Sequence, residues 1–140
     1  MRLWHKDLIP VLPRQQLLGQ WRECCLIAKN IKEKGSPNHL LVNRIMDYDI
    51  KHFYHYSRLV QLEMAHRGYK CDISNFIKWT NDNLNFCLIY NNDDLFKDWH
   101  NDRYLNQCLA NLQEKYDCGG IGICEYEKIV EFVKKKYGEV

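Results

Sequence analysis

An all-α, single-domain fold over residues 1–140 is what this sequence predicts, and three observations carry that prediction. Apolar residues recur at helical spacing in four stretches. Helix punctuation at Pro13, Gly35, Asp49, Gly68 and Gly119-Gly120 separates those stretches. The one run that reads as a short strand, Phe86 to Tyr90, has no partner strand to pair with.

Residues 1–12 read as extended or irregular, punctuated by Pro10 and Pro13. Proline suits the first turn of a helix, so the first helix is expected to start near Pro13 and to run to Glu33 or Lys34, where Gly35-Ser36-Pro37-Asn38 breaks it. At about 100° per residue, Leu17, Trp21, Cys25 and Ala28 share one side of this helix, and Glu23 points away from them. Residues 35–48 read as a connector. Asp49 can cap a second helix whose Phe53, Ser57, Val60 and Met64 face the core, and Gly68-Tyr69 has the composition of a Schellman ending.

The stretch 70–97 is rich in Asn and Asp but carries Phe76, Trp79, Phe86, Leu88, Ile89 and Tyr90. It is too apolar for a disordered linker and reads as an irregular, ordered excursion packed on the core. A helix from Asn101 to Tyr116 is expected to bury Leu105, Cys108 or Leu109, Leu112 and Tyr116. A last helix from Glu125 to Tyr137 is expected to turn Tyr126, Ile129, Val130 and Val133 inward.

Composition bounds the function. The chain is 46% hydrophobic and 27% charged, ordinary values for a globular protein, and its net charge of +2 is too small to announce a nucleic-acid partner by itself. No apolar run has the length of a membrane span and the N-terminus lacks the apolar core of a signal peptide, so a cytoplasmic protein is expected. Seven cysteines in such a chain read as reduced, buried apolar fillers; none has metal-ligand spacing, and no metal or cofactor is expected.

Three sets of residues are candidates for chemistry. Glu23 lies beside Arg22 and one turn after Gly19, whose missing side chain leaves room for something large to approach. An ordinary solvent-facing ion pair is the alternative. No Ser-His-Asp or Cys-His arrangement supplies a nucleophile, which leaves the chain's own α-amino group. Its reference pKa of about 7.7–8.0 keeps part of it unprotonated at neutral pH, and Arg2 and Lys6 would enlarge that part. Arg2 is too large for ordinary removal of the initiator, so Met1 is expected to carry the amine.

The histidines come second. His52 and His55 have metal-pair spacing but lack a third ligand, while His5 and His39 are open to phosphate contact or to a surface role. The lysines come third: Lys29, Lys32 and Lys34 close the first helix, and Lys134, Lys135 and Lys136 close the last. They serve either as helix-dipole caps or as contacts to a phosphate backbone, with Tyr137 beside them for stacking.

The text of the N-terminus adds a resemblance. Met1-Arg2-Leu3-Trp4-His5, Leu8-Ile9-Pro10 and Leu12-Pro13-Arg14-Gln15-Gln16-Leu17-Leu18-Gly19-Gln20-Trp21-Arg22-Glu23-Cys24 resemble the pyrimidine-dimer DNA glycosylases. The likeness continues at Lys51-His52-Phe53 and through Leu59 to Arg67-Gly68-Tyr69, and His100-Asn101-Asp102 with Cys108 to Lys115 looks like a bacterial branch of that family.

The resemblance implies a compact helical enzyme that repairs double-stranded damaged DNA as a monomer. It implies glycosylase and abasic-site lyase chemistry, with Met1 supplying the amine that forms an imine and Glu23 acting as acid and base. It also implies DNA contacts from Arg22 and Gln15. Arg2, His5, Lys6, Arg14, Lys29, His39, Lys134, Lys135 and Lys136 complete the expected DNA-binding set. The alternative is a non-catalytic DNA-binding module with the same fold.

Overall fold

A computed structural model of the chain describes residues 2–83 and 88–138. Every helix or strand among them is helical: α1 (Arg14–Lys34), α2 (Ile50–His66), α3 (Ser74–Thr80), α4 (Asp102–Asp117) and α5 (Ile123–Tyr137), with 3-10 helices at Lys6–Val11 and Val42–Asp47.

The helix boundaries follow local chemistry. α1 ends at Gly35 in the left-handed region, φ 79°, and the Gly35 N–H donates to the Ile31 carbonyl. Asp49 caps α2, accepting from the Lys51 N–H at 2.9 Å. At the other end of α2, Gly68 has φ 77°, its N–H reaches Ala65 O, and Tyr69 N–H reaches Met64 O. That pair of bonds is the Schellman ending. Asn101 caps α4 by accepting from the Tyr104 N–H at 2.9 Å.

Several expectations need correction. Residues 6–11 are a 3-10 turn pair, and the connector 35–48 contains a second one. The packed face of α1 is broader than predicted and holds Leu17, Gln20, Trp21, Cys24, Ile27 and Ala28; Cys25 lies at its edge, half-buried. Val130 is exposed, leaving Ile129 as the buried residue of α5. Cys118 and Cys124 are exposed, whereas Cys24 and Cys108 are buried as expected. The expected strand at 86–90 lies partly outside the described residues, and Leu88 and Ile89 are exposed without regular structure.

One aromatic-lined core joins the helices. Trp21 of α1 stacks on Phe76 of α3 at 5.5 Å between ring centroids, and Phe53 of α2 meets the same ring at 5.8 Å. The described part of 70–97 packs on the core as expected, with Phe76, Leu95 and Phe96 buried, but its first part is not irregular, since residues 74–80 form α3. Its backbone is tied to α2 by histidines. His55 Nδ1 accepts from Tyr90 N–H at 3.2 Å, and His52 Nδ1 accepts from Phe96 N–H at 3.1 Å. The His52–His55 pair therefore anchors backbone, and among the described residues no group of His, Cys, Asp or Glu is placed to hold a metal. No helix among those residues is long and apolar enough to cross a membrane.

Candidate active site

The site begins with residues 2–5, which run extended into the core without a neighbouring strand. Buried backbone N–H and C=O groups must find partners, and here side chains from three helices supply them. Gln20 of α1 accepts from the Trp4 N–H at 2.8 Å and donates to the Arg2 carbonyl at 3.1 Å. The Tyr56 hydroxyl of α2 lies in reach of both the Trp4 carbonyl and Gln20 Oε1. The Tyr104 hydroxyl of α4 donates to the Leu3 carbonyl. Leu3 and Trp4 fill the core below, at 0% and 7% exposure, which fixes the segment from its other side.

Glu23 closes this arrangement. Its Oε2 accepts from the Arg2 backbone N–H at 3.3 Å, so the carboxylate lies against the backbone of Arg2. Glu23 is half-buried on the flank of α1's exposed stripe. That stripe holds Gln15, Gly19, Arg22, Leu26 and Lys29 within roughly 80° of helical arc. The room at Gly19 is not vacant: a Cβ built there would lie 3.8 Å from Arg22 Nη2, so the guanidinium already covers it.

The remaining candidates divide. Met1 lies outside the described residues. Arg2 is half-buried, with its guanidinium 5.4 Å from the Trp4 ring centroid and Nη1 3.8 Å from Cys108 Sγ. Gln15, Arg22 and Lys29 are exposed on one face, and the Lys29 ammonium lies 5.9 Å from the Trp79 ring centroid. Arg14 sits on the flank of α1 opposite Glu23, over the Tyr69 ring at 5.5 Å.

His5 and Lys6 are corrections, because both are buried. His5 Nδ1 accepts from the Asp7 N–H at 3.1 Å and its ring packs on His100 at 5.2 Å. The Lys6 ammonium donates to the carbonyls of Asn92 and Leu95, and its backbone N–H donates to His100 Nδ1 at 2.9 Å. Neither side chain can present itself to a phosphate without leaving the core. His39 lies in the connector after α1 with a buried Nδ1 that has no partner. Lys134, Lys135 and Lys136 are exposed at the end of α5; Lys136 pairs with Asp7 at 3.6 Å and Lys135 with Glu131 at 4.0 Å.

Burial also settles the thiols. It raises Cys24 far above the ordinary thiol range and pushes Cys25 and Cys71 up to about 11, so none of the three is a thiolate at neutral pH. Gln20, Tyr56 and Tyr104 were missed by sequence reasoning. The readable signal was Gln20 itself, a polar residue on the wheel between Ile27 and Cys24, both apolar and both buried.

A family model described as pyrimidine dimer DNA glycosylase matches residues 1–75, more than half of the chain. The chain belongs to that family. The matched span holds the extended N-terminal segment, Gln20, Arg22, Glu23 and Tyr56, and leaves Tyr104 outside. No curated protein and no solved structure matches the chain. Membership in the pyrimidine dimer glycosylases makes this a DNA repair glycosylase whose substrate is damaged DNA.

Proposed function

We propose that this glycosylase also cleaves the strand at the abasic site, with the α-amino group of Met1 as nucleophile and Glu23 as the group that moves protons. The observation that carries this reading is the 3.3 Å hydrogen bond from the Arg2 N–H to Glu23 Oε2. Three covalent bonds separate that amide nitrogen from the amine of residue 1, so chain geometry keeps the two nitrogens within roughly 4 Å. A carboxylate held beside an amine is the pairing that nucleophilic catalysis requires.

The amine attacks C1′ of the damaged nucleotide, the bond to the base breaks, and the base leaves with the electron pair. Loss of a proton from nitrogen and opening of the sugar ring give an imine between enzyme and C1′. The imine is an electron sink, so Glu23 can take a C2′ proton. The electron pair then forms the C2′–C3′ double bond and expels the 3′ phosphate, which cuts the strand. Water hydrolyses the imine and frees the amine. The exposed Arg22 guanidinium, which lies over Gly19, pairs in this reading with a phosphate of the reacting strand, and Gln15 and Lys29 extend that contact along α1.

Borohydride reduction on dimer-containing or abasic duplex tests this. The wild-type chain should give a covalent adduct whose peptide contains Met1. Glu23→Gln should still trap but should lose strand cleavage by roughly 10²–10⁴-fold, the contribution of one acid–base group. No adduct on any damaged duplex would sink the proposal.

A further inference from the structure

We infer that Gln20 is a positioning residue for the reaction: its carboxamide fixes where the chain's amine stands relative to Glu23. The inference rests on the mechanism proposed above and assigns to this buried side chain a role that nothing in its own chemistry would perform. Gln20 is neutral and 1% exposed, so its side chain is closed off from the protein surface. Besides a contact with the Cys24 thiol, its carboxamide is directed at the segment that carries the amine and at that segment's support: the Trp4 N–H at 2.8 Å, the Arg2 carbonyl at 3.1 Å and the Tyr56 hydroxyl at 3.1 Å.

Direction is the argument. Gln20 and Glu23 are three residues apart on α1, neighbours on the helix surface with Glu23 roughly 4.5 Å further along the axis. The Arg2 residue spans the two. Its carbonyl is held by Gln20 and its N–H by Glu23. Running backward from Trp4, the chain therefore passes Gln20 first and reaches Glu23 with the bond that leads to residue 1. One turn of helix carries both the proton-transfer group and the anchor that aims the nucleophile at it. The relative placement of the two is then set by helix geometry instead of by tertiary packing.

The residue type is specific to the task. The anchor must accept from an N–H and donate to a C=O two residues away, and a carboxamide does both with its two ends. Glutamate would keep the acceptor for Trp4 and lose the donor to Arg2. Methionine would keep the volume and lose both. The contact from Glu23 to the Arg2 N–H, at 3.3 Å, is the longer of the two bonds on that residue, so it does not fix the position alone.

The test compares Gln20→Met and Gln20→Glu with the wild-type chain on abasic duplex, measuring single-turnover cleavage, KM and the rate of borohydride trapping. Leu112→Ala, a cavity in α4 away from the segment, serves as a stability-matched control. The expected result is a loss of kcat on the order of 10²-fold for Gln20→Met, the scale of an ångström-sized misplacement. KM should stay within about twofold, trapping should slow in parallel, and Gln20→Glu should fall in between. Leu112→Ala should keep wild-type kcat below its melting temperature, which separates misplacement from loss of fold.

Equal trapping and cleavage rates for wild type and Gln20→Met overturn the inference and leave the mechanism standing. So does a loss in Gln20→Met that Leu112→Ala reproduces at equal stability. Absence of an adduct with the wild-type chain overturns both.

Discussion

Gly19 stands inside α1, where a glycine costs a helix roughly 0.5–1 kcal/mol relative to alanine. Its surroundings do not demand a glycine at the level of one methyl group, because a Cβ there meets only Arg22 Nη2 at 3.8 Å, an ordinary contact. Gly19→Ala should therefore raise stability by about 0.5–1 kcal/mol, seen as an increase of roughly 1–4 °C in Tm. A lower Tm would mean that the backbone at this position is not the plain helix described here. Larger side chains are a different matter, since they would push the Arg22 guanidinium off the surface it lies on. Glu23, one turn on, owes its availability to the same local geometry: it lies off the packed stripe, yet near enough to the core to meet the peptide of Arg2.

Between elements, the ending of α2 does more than stop a helix. Arg67 pairs with Glu63 at 2.7 Å and sends its guanidinium to the carbonyls of Leu12 at 2.7 Å, Pro10 at 3.1 Å and Ile9 at 3.3 Å. The end of the 3-10 helix is thereby fastened to α2, while Gly68 takes the positive φ that turns the chain and Tyr69 passes under Arg14. Only a planar fork with several donors can hold three carbonyls and a carboxylate together. Arg67→Met should cost about 2 kcal/mol, the range for hydrogen bonds to a charged group, and should lower the urea midpoint without changing the m-value. A midpoint equal to wild type would show that these bonds are replaced by water at no net loss.

This pattern also explains what could be read in advance. Pro13, Gly35, Asp49 and Gly68 announced the ends of α1 and α2 because caps are local chemistry, written within five or six residues. The path of residues 2–12 was not legible. Of its partners only Gln20 shows itself, as a polar residue on a packed side; Tyr56, Arg67 and Tyr104 reach backbone groups that no sequence period points to. His5 and Lys6 were misread for the same reason, since an isolated cation near a terminus looks solvent-facing until a distant carbonyl claims it.

Across the whole molecule, four imidazoles do one job. His5, His52, His55 and His100 each use Nδ1 to accept a backbone N–H, from Asp7, Phe96, Tyr90 and Lys6 respectively. Together they tie the N-terminal segment and the excursion to α2 and to each other. Each has its pKa held below the ordinary 6.5, first of all by burial, and His100 is held well below it. The Lys6 ammonium pushes the same way at all four, whereas Asp7 at His5, and Asp49 and Asp94 at His52, oppose it.

The sign follows from linkage. Between the lowered folded value and 6.5, the unfolded chain binds more protons than the folded one, so stability rises with pH through that window. The full contribution is present above about pH 6.5 and is lost as pH falls below it, when protonation also removes the acceptor. Asp72, the carboxylate whose pKa lies below its ordinary 3.8, affects stability only at more acid pH. Thermal unfolding should therefore show Tm falling between pH 7 and pH 5. In His52→Asn/His55→Asn, where amide oxygens replace the ring acceptors and cannot titrate, the fall should be shallower. Parallel curves for the two proteins would show that these histidines do not govern the acid limb, and that the excursion is held by its apolar contacts alone.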